Sequence, residues 1–522
     1  MRFAETFCRG GSEMKKFVLT KEHVEKSRVK HPFVLRHDIF GSYLHRVMSR
    51  EDYFAFNHSY PDEASKIIMD GMYSGDWYSV YESEIIPQRH NEFLDRLRLG
   101  GVDIFAEHIK RFKERGKECW ISHRISEVEI DNELNPPRVR EEHPDWFIPA
   151  FGYHMLNMSV PEVREHKLRI LEEMMRKYPF DGLDIDFERH TPILPVGRQW
   201  ENRECITDFM RRLRSITLKI EREESRVVML SARVPDCLLG CKEDGLDIRT
   251  WVEEGLIDCL TLGSRSFDHK VEEFRALSDE IGIYDCYDTH HAVDGYALPE
   301  LSLMHGVWDS WYARGADGCE YFNWCGEGNA DLVLGYVKKY GLDPIRDGYV
   351  KYAKESFVGA NDREYLASCD KTYVVERRGG YPWGIGYGNL NAHSPLPMEI
   401  KGEGEVRIFV SDVISKYASA ELRAIFSKSD SETRIYLEKA ELACQSKEIR
   451  DMQITYHKEA PVSGYGVTKR LLAGIDESIP CALLCADITG FVNEPGYLSV
   501  RIKPDGEALL EKLEISVKGK IK

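Results

Sequence analysis

Across 522 residues the chain has no run approaching the roughly 20 consecutive apolar residues a helix needs to cross a bilayer. Its opening stretch, MRFAETFCRGGSEMKKFVLTKEH, lacks the apolar segment of a secretory signal. No membrane partner is expected, and a cytoplasmic location is. Positive charge is scarce too: 71 Lys and Arg against 88 Asp and Glu leave a net charge of −17. That excludes the basic footprint phosphate binding requires, and with it a nucleic-acid partner. Zinc-type cysteine spacing is missing. The 13 cysteines are odd in number and scattered, and the closest pairs, Cys237/Cys241 and Cys481/Cys485, are C-x3-C rather than C-x2-C. They read as reduced, mostly buried small hydrophobes, which suits a reducing compartment.

Other signatures fail on context. RGGYPWGIGYGN superficially matches a dinucleotide loop, but NLNAHSPLP follows, and its prolines exclude the helix such a loop must open. No H-x-H occurs anywhere. His290 and His291 are adjacent, so on an extended chain they point in opposite directions and make a poor metal pair. Neither an internal repeat nor a low-complexity tract is present. No cofactor and no bound metal are expected.

What is there is globular: 42% apolar and 11% aromatic residues. The length exceeds one ordinary core and calls for a large domain plus a smaller one. Between about residues 71 and 345, short apolar runs alternate with amphipathic helical stretches. Ser159 to about Lys177 shows the clearest helix, with Ser159 and Glu162 spaced as a capping box and Pro161 in the first turn. Eight strand candidates are WYSVYES, ECWISHR, YHMLNM, FDGLDIDFE, VVMLSARV, LIDCLTLG, IYDCYD and GCEYFNW. This βα alternation predicts an α/β fold with a parallel sheet, and eight units in this length predict a (β/α)8 TIM barrel, with an open doubly wound sheet as the competitor. Residues 1–70 read as an N-terminal extension packed on the barrel, and 346–400 as a linker region. From 401 to 522, strictly alternating stretches such as YLSVRIK and KLEISVK predict a C-terminal antiparallel β-sandwich.

The segment that demands a function is FDGLDIDFERH. Asp184, Asp186 and Glu188 alternate with Leu183, Ile185 and Phe187. On a barrel strand the apolar set faces the helices, so the acids face the lumen, with Glu188 nearest the C-terminal mouth where barrel enzymes keep their chemistry. Crowded carboxylates in a desolvated lumen cost several kcal/mol unless protonated or paired. One ionised member and one with a raised pKa are expected, which is the pairing general-acid catalysis uses. A divalent-cation nest and a purely structural hydrogen-bond network are the competing readings.

Asp181-Gly-Leu-Asp184-Ile-Asp186-Phe-Glu188 resembles the DG-x-D-x-D-x-E motif on strand four of glycoside hydrolase family 18. By that resemblance Glu188 protonates the glycosidic oxygen and Asp186 orients an acetamido group on the substrate, with Asp184 behind it. The chain departs from that family in having no SxGG on strand three and no Met-x-Tyr-Asp on strand six, which reads LTLGSRS. A broader set, KERGKECWISHR, HPDW, YPFDGLDIDFERH, ITDFMRRLRSI, LSARVP, TWVEEGLID and LEKLEISVK, is similar to the bacterial glycosyl-hydrolase-like family 10 proteins. That resemblance implies a role for Asp186 and Arg189 and leaves the principal acid open between Asp186 and Glu188.

Residues ending the other strands are expected to complete the site. His123 and Arg124 end the second strand candidate, Arg189 and His190 follow the acids, and strand five ends Arg233-Val-Pro-Asp236. The arginines serve as charge partners, either tuning a carboxylate or clamping an anionic group. Glu320, Asp285 and Asp288 are candidates for a second carboxylate. His123, Asp288, Asn323 and Trp324 are candidates for binding substrate, Trp324 as a stacking platform for a sugar ring. The expected activity is hydrolysis of a glycosidic bond in an oligo- or polysaccharide. A catalytically silent carbohydrate-binding barrel and a metal-dependent hydrolase are the rivals. The partner is a carbohydrate substrate; a homo-oligomer stays open.

Overall fold

The computed structural model describes residues 16–38, 48–70, 78–125, 138–148, 155–189, 191–263, 266–287, 296, 299–322, 335–336, 338–341, 358–377, 394–429, 432–455, 458–459, 471–472 and 476–520. Eight parallel strands close into a barrel in chain order: β1 (Phe33–Asp38), β2 (Lys66–Asp70), β3 (Glu118–Arg124), β4 (Gly182–Asp186), β5 (Met229–Val234), β6 (Cys259–Leu262), β7 (Gly282–Tyr287) and β8 (Gly318–Tyr321). Closure comes from β1 pairing β8, Val34 opposite Glu320. Period-two alternation then divides each strand. Leu183, Ile185 and Phe187 join the apolar layer between barrel and helices, together with Leu168, Leu171 and Met174 of the helix Pro161–Lys177.

Two elements of the expected barrel are corrected. Among the described residues, WYSVYES and YHMLNM contribute only the isolated bridges Ser79–Gln88 and Phe147–Leu156. The first two strands instead lie within the stretch expected to be an extension, and ECWISHR is the third strand. The reason is physical. Β1 carries an inward arginine, Arg36, and β2 opens on an inward lysine, so neither shows the uninterrupted apolar run of a buried parallel strand.

The lumen is filled in layers. At its base Val34, Ile68, Trp120, Met229, Cys259 and Tyr284 pack together. The Lys66 ammonium lies 4.1 Å from the Trp120 ring centroid and 4.3 Å from that of Tyr284, an arrangement that offsets part of its desolvation. Gly182 is required here, because a β-carbon would overlap the Trp120 ring.

C-terminal to the barrel, two antiparallel sheets share one core. One is built around Glu507–Lys520 and Tyr417–Ser429, the other around Gly404–Val410 and Gly496–Pro504. Val406, Ile408, Val500 and Ile502 of one sheet meet Leu422, Phe426, Leu513 and Ile515 of the other, as expected of a sandwich. Strands Lys371–Val374 and Met398–Lys401 also pair with Glu507–Lys520, so part of the expected linker belongs to the sheet. Glu376 ties the sandwich to the barrel: its carboxylate accepts from Ser266 Oγ (3.1 Å) and from the backbone N–H groups of Phe267 (2.6 Å) and Asp268 (3.2 Å). Among the described residues no helix is long and apolar enough to cross a membrane.

Candidate active site in the barrel lumen

Above the apolar base lies a layer of charge. Arg36 Nε donates to Glu320 Oε1 at 2.7 Å, and its Nη1 donates to Asp184 Oδ2 at 2.8 Å and to Ser122 Oγ at 2.7 Å. Asp184 also accepts from Ser122 Oγ (3.1 Å) and Ser231 Oγ (2.6 Å), and Glu320 from Thr261 Oγ1 (2.9 Å). Arg36, Asp184 and Glu320 are fully buried. Two carboxylates against one guanidinium, with three hydroxyls meeting the remaining lone pairs, make a sealed internal network. Its chemistry is structural, and the expectation that Glu320 supplies a reacting carboxylate does not fit its place there.

One layer higher, Asp186 sits between Arg124 on β3 and Arg233 on β5, its register neighbours. Arg233 Nη2 donates to Asp186 Oδ2 at 2.6 Å. The other oxygen accepts the backbone N–H groups of Glu188 and Arg189, each at 3.0 Å. Burial would raise the Asp186 pKa, but Arg233, then Arg36 and Arg124, pull it down to about 2. Asp186 is therefore ionised at neutral pH. The Arg233 guanidinium stacks 4.5 Å from the centroid of the Phe322 ring, which lies just beyond β8.

Glu188, two residues beyond β4, behaves oppositely. Burial pushes its pKa up to about 8; Arg233 opposes the rise, while Asp244, Asp236 and Asp186 add to it. At neutral pH it holds its proton. Two carboxyls two residues apart are thus split into an anion and an acid: the charge of Arg233 prevails at Asp186, and burial prevails at Glu188.

Several expected positions fall differently. His123 faces outward from β3, its Nε2 3.4 Å from Lys167 Nζ on the helix Pro161–Lys177. It lies between two lumen-facing neighbours, Ser122 and Arg124, so the pleat turns it away from the lumen. Asp285 also faces the helices, where His269 Nδ1 lies 2.7 Å from its Oδ1 and the His269 ring stacks on Trp311. Arg189 brings its backbone N–H to Asp186 and is itself half-buried. His190, Asp288, Asn323 and Trp324 lie outside the described residues.

The sequence reading missed Arg36, the hub of the lumen network, because FVLRHD precedes the stretch assigned to the barrel. Its pattern, Phe33, Leu35 and His37 against Val34 and Arg36 after Pro32, was the available signal. Asp244 and His269 also went unmarked, since nothing local distinguishes them. Among the described residues no group of three His, Cys, Asp or Glu side chains has the geometry to hold a metal ion.

No family model matches the chain, and no curated protein does. The family resemblances drawn from the motifs thus find no support there. Solved structures do show likeness. Alpha-L-fucosidase isoenzyme 2 from Paenibacillus thiaminolyticus is 12% identical with a TM-score of 0.39, over 66% of this chain and 51% of that one. The PgaB (BpsB) glycoside hydrolase domain from Bordetella bronchiseptica is 11% identical with a TM-score of 0.39, over 59% of this chain and 98% of that one. The noncanonic maltogenic alpha-amylase AmyB from Thermotoga neapolitana is 10% identical with a TM-score of 0.36, over 90% of this chain and 99% of that one. This chain spans about half the length of the fucosidase chain. These neighbours are glycoside hydrolases by name, and likeness at this level carries neither a family nor an activity over to this chain.

Proposed function

We propose that the protein hydrolyses a glycosidic bond of an oligo- or polysaccharide, with Glu188 as general acid and Asp186 as a fixed negative charge beside the reacting sugar. The observation that carries this reading is the split between the two: a carboxyl protonated at neutral pH next to a carboxylate held ionised by Arg233. Hydrolysis through an oxocarbenium-like transition state needs both, a proton for the leaving oxygen and negative charge for the sugar. Their place at the C-terminal end of β4 suits a barrel enzyme. Arg233 and two backbone N–H groups hold Asp186 rigidly, so it acts through its charge rather than by moving.

The test is turnover on a panel of nitrophenyl glycosides and soluble polysaccharides. Glu188→Gln, close in shape and without the ionisable proton, is expected to lower turnover on any cleaved member by at least ~100-fold, the low end for a general acid. Full activity in a folded Glu188→Gln protein would end this assignment. A silent carbohydrate-binding barrel is the second reading, favoured by the burial of Glu188, which is 3% exposed. It predicts glycan binding without release of reducing ends.

A further inference from the structure

Residues 266–270 lie between β6 and the helix Val271–Arg275, on the C-terminal face of the barrel where the candidate acids stand. The backbone N–H groups of Phe267 and Asp268 both donate to one oxygen of Glu376, Oε2, which also accepts from Ser266 Oγ. Glu376 is buried and follows Lys371–Val374, a strand of the sandwich. A buried N–H has to find an acceptor, and a carboxylate is a stronger one than a carbonyl. Two N–H groups at the mouth thus depend on a side chain that the barrel itself does not contain.

Side chains join the same loop to the sandwich. Lys270 Nζ donates to Tyr497 Oη at 3.5 Å, and Tyr497 Oη donates to Glu272 Oε1 at 2.9 Å. Arg314, which ends the helix Leu301–Arg314, pairs with Asp268 Oδ1 at 2.6 Å, and its guanidinium lies 4.1 Å from the centroid of the Phe409 ring. On its other side the loop is bonded to the segment that follows β5. Lys270 N donates to Asp236 O at 2.9 Å, and Leu238 N donates to Glu273 Oε2 at 3.0 Å. That segment continues directly from Arg233, the residue that holds Asp186. Hydrogen bonds and covalent chain therefore run without a break from Glu376 to the Asp186 anion.

We infer that the sandwich belongs to the framework of the active site rather than being a separable glycan-binding module. In it Glu376 is a positioning residue: it fixes residues 266–270 at the mouth and, through them, the end of β5. The hold on the loop rests on the contacts above, and its effect on turnover rests on the glycosidase reading. A site whose groups act by charge and proton transfer loses rate steeply when they move, ~100-fold for a displacement of ~1 Å.

Amide hydrogen exchange and turnover, both on the full chain, test this. Glu376→Ala removes the acceptor. Ile435→Ala weakens the sandwich core without removing a bond to the loop, and so controls for a general loss of stability. At a temperature where both variants are folded, the Phe267 and Asp268 amides of Glu376→Ala should exchange at least ~10-fold faster, the consequence of losing a charged acceptor. Its kcat on a glycoside the wild type cleaves should fall ~10–100-fold. Ile435→Ala should change neither. If Glu376→Ala does not fold, Glu376→Gln takes its place, with faster exchange expected at the same two amides. Unchanged exchange in the folded Glu376 variant, or an equal acceleration in Ile435→Ala, overturns the hold on the loop. Faster exchange with full turnover overturns the positioning role. A wild type that cleaves no member of the panel, with the exchange result intact, overturns the glycosidase reading and the effect on rate, while the hold of the sandwich on the loop stands.

Discussion

Asp186 and Arg233, neighbours across β4 and β5, face each other in the lumen at 2.6 Å, both fully buried. The pair fixes which acid of the strand is the anion. It also separates two kinds of substitution that look alike in sequence.

Asp186→Asn removes the charge Arg233 was built against and leaves a buried guanidinium uncompensated. A loss of ~3–5 kcal/mol is expected, the usual consequence of breaking a buried pair from one side. Urea denaturation should show it, with Glu188→Gln losing far less. Equal stability of the two variants would contradict the assignment of Asp186 as the bound anion.

Arg36 meets two carboxylates and a hydroxyl at once. Arg36→Met should therefore destabilise the barrel by at least ~3–5 kcal/mol. Arg36→Lys should recover little, because a single ammonium has no planar fork to reach Asp184 and Glu320 together. Thermal melts of both variants check this, and near-complete rescue by lysine would show the network to be a matter of charge alone.

Glu188 carries a pH signature. Its carboxyl titrates near 8 in the folded protein and near about 4.3 when unfolded. Between those values the folded state holds a proton the unfolded state has released, so stability falls as pH rises. The slope is about 1.4 kcal/mol per pH unit for one proton. Glu188→Gln should remove that component between pH 5 and pH 8. Parallel stability–pH curves for the two proteins would place the Glu188 pKa near its ordinary value.

His23 anchors the helix Lys21–Ser27 to the barrel, with Nδ1 2.8 Å from Glu221 Oε2 and Nε2 3.0 Å from Asp258 Oδ1. Burial works against its charge, but Asp258 and then Glu221 more than reverse this and raise its pKa. The stabilisation is fully present below the unfolded value of about 6.5 and is lost as pH rises through the higher folded value. His23→Gln should cost most at pH 6 and progressively less at alkaline pH. A cost independent of pH would mean the ring is held neutral.

Gly182→Ala probes the lumen base, since the added methyl would overlap the Trp120 ring beneath Lys66. Overpacking at such a site costs ~1–3 kcal/mol or more. A shifted melt, accompanied by a changed tryptophan emission, is the expected result. An unchanged melt would mean that the Trp120 ring moves aside freely.

Much of this architecture was readable along the chain. Alternation of Leu183, Ile185 and Phe187 with three acids is a local property, since a strand's pleat sends neighbours to opposite faces. It marked β4, the inward face and the candidate site together. Strands β5 to β8 were equally legible because each is a short apolar run between helical stretches, and the period-two stretches near the C-terminus marked the sandwich.

Tertiary structure decided the rest. Whether Asp184, Asp186 or Glu188 is the acid depends on which cation reaches each, and those cations come from β1 and β5, 148 and 47 residues away in the Arg36–Asp184 and Arg233–Asp186 pairs. A pKa reports the charge and burial around a group in space, which sequence neighbours do not determine. The same holds for Arg36, whose strand looked unlike a strand because its arginine is neutralised only when the barrel closes. His269 packs against Gly263 for a like reason: a β-carbon there would overlap its ring, a closeness that only the folded chain reveals.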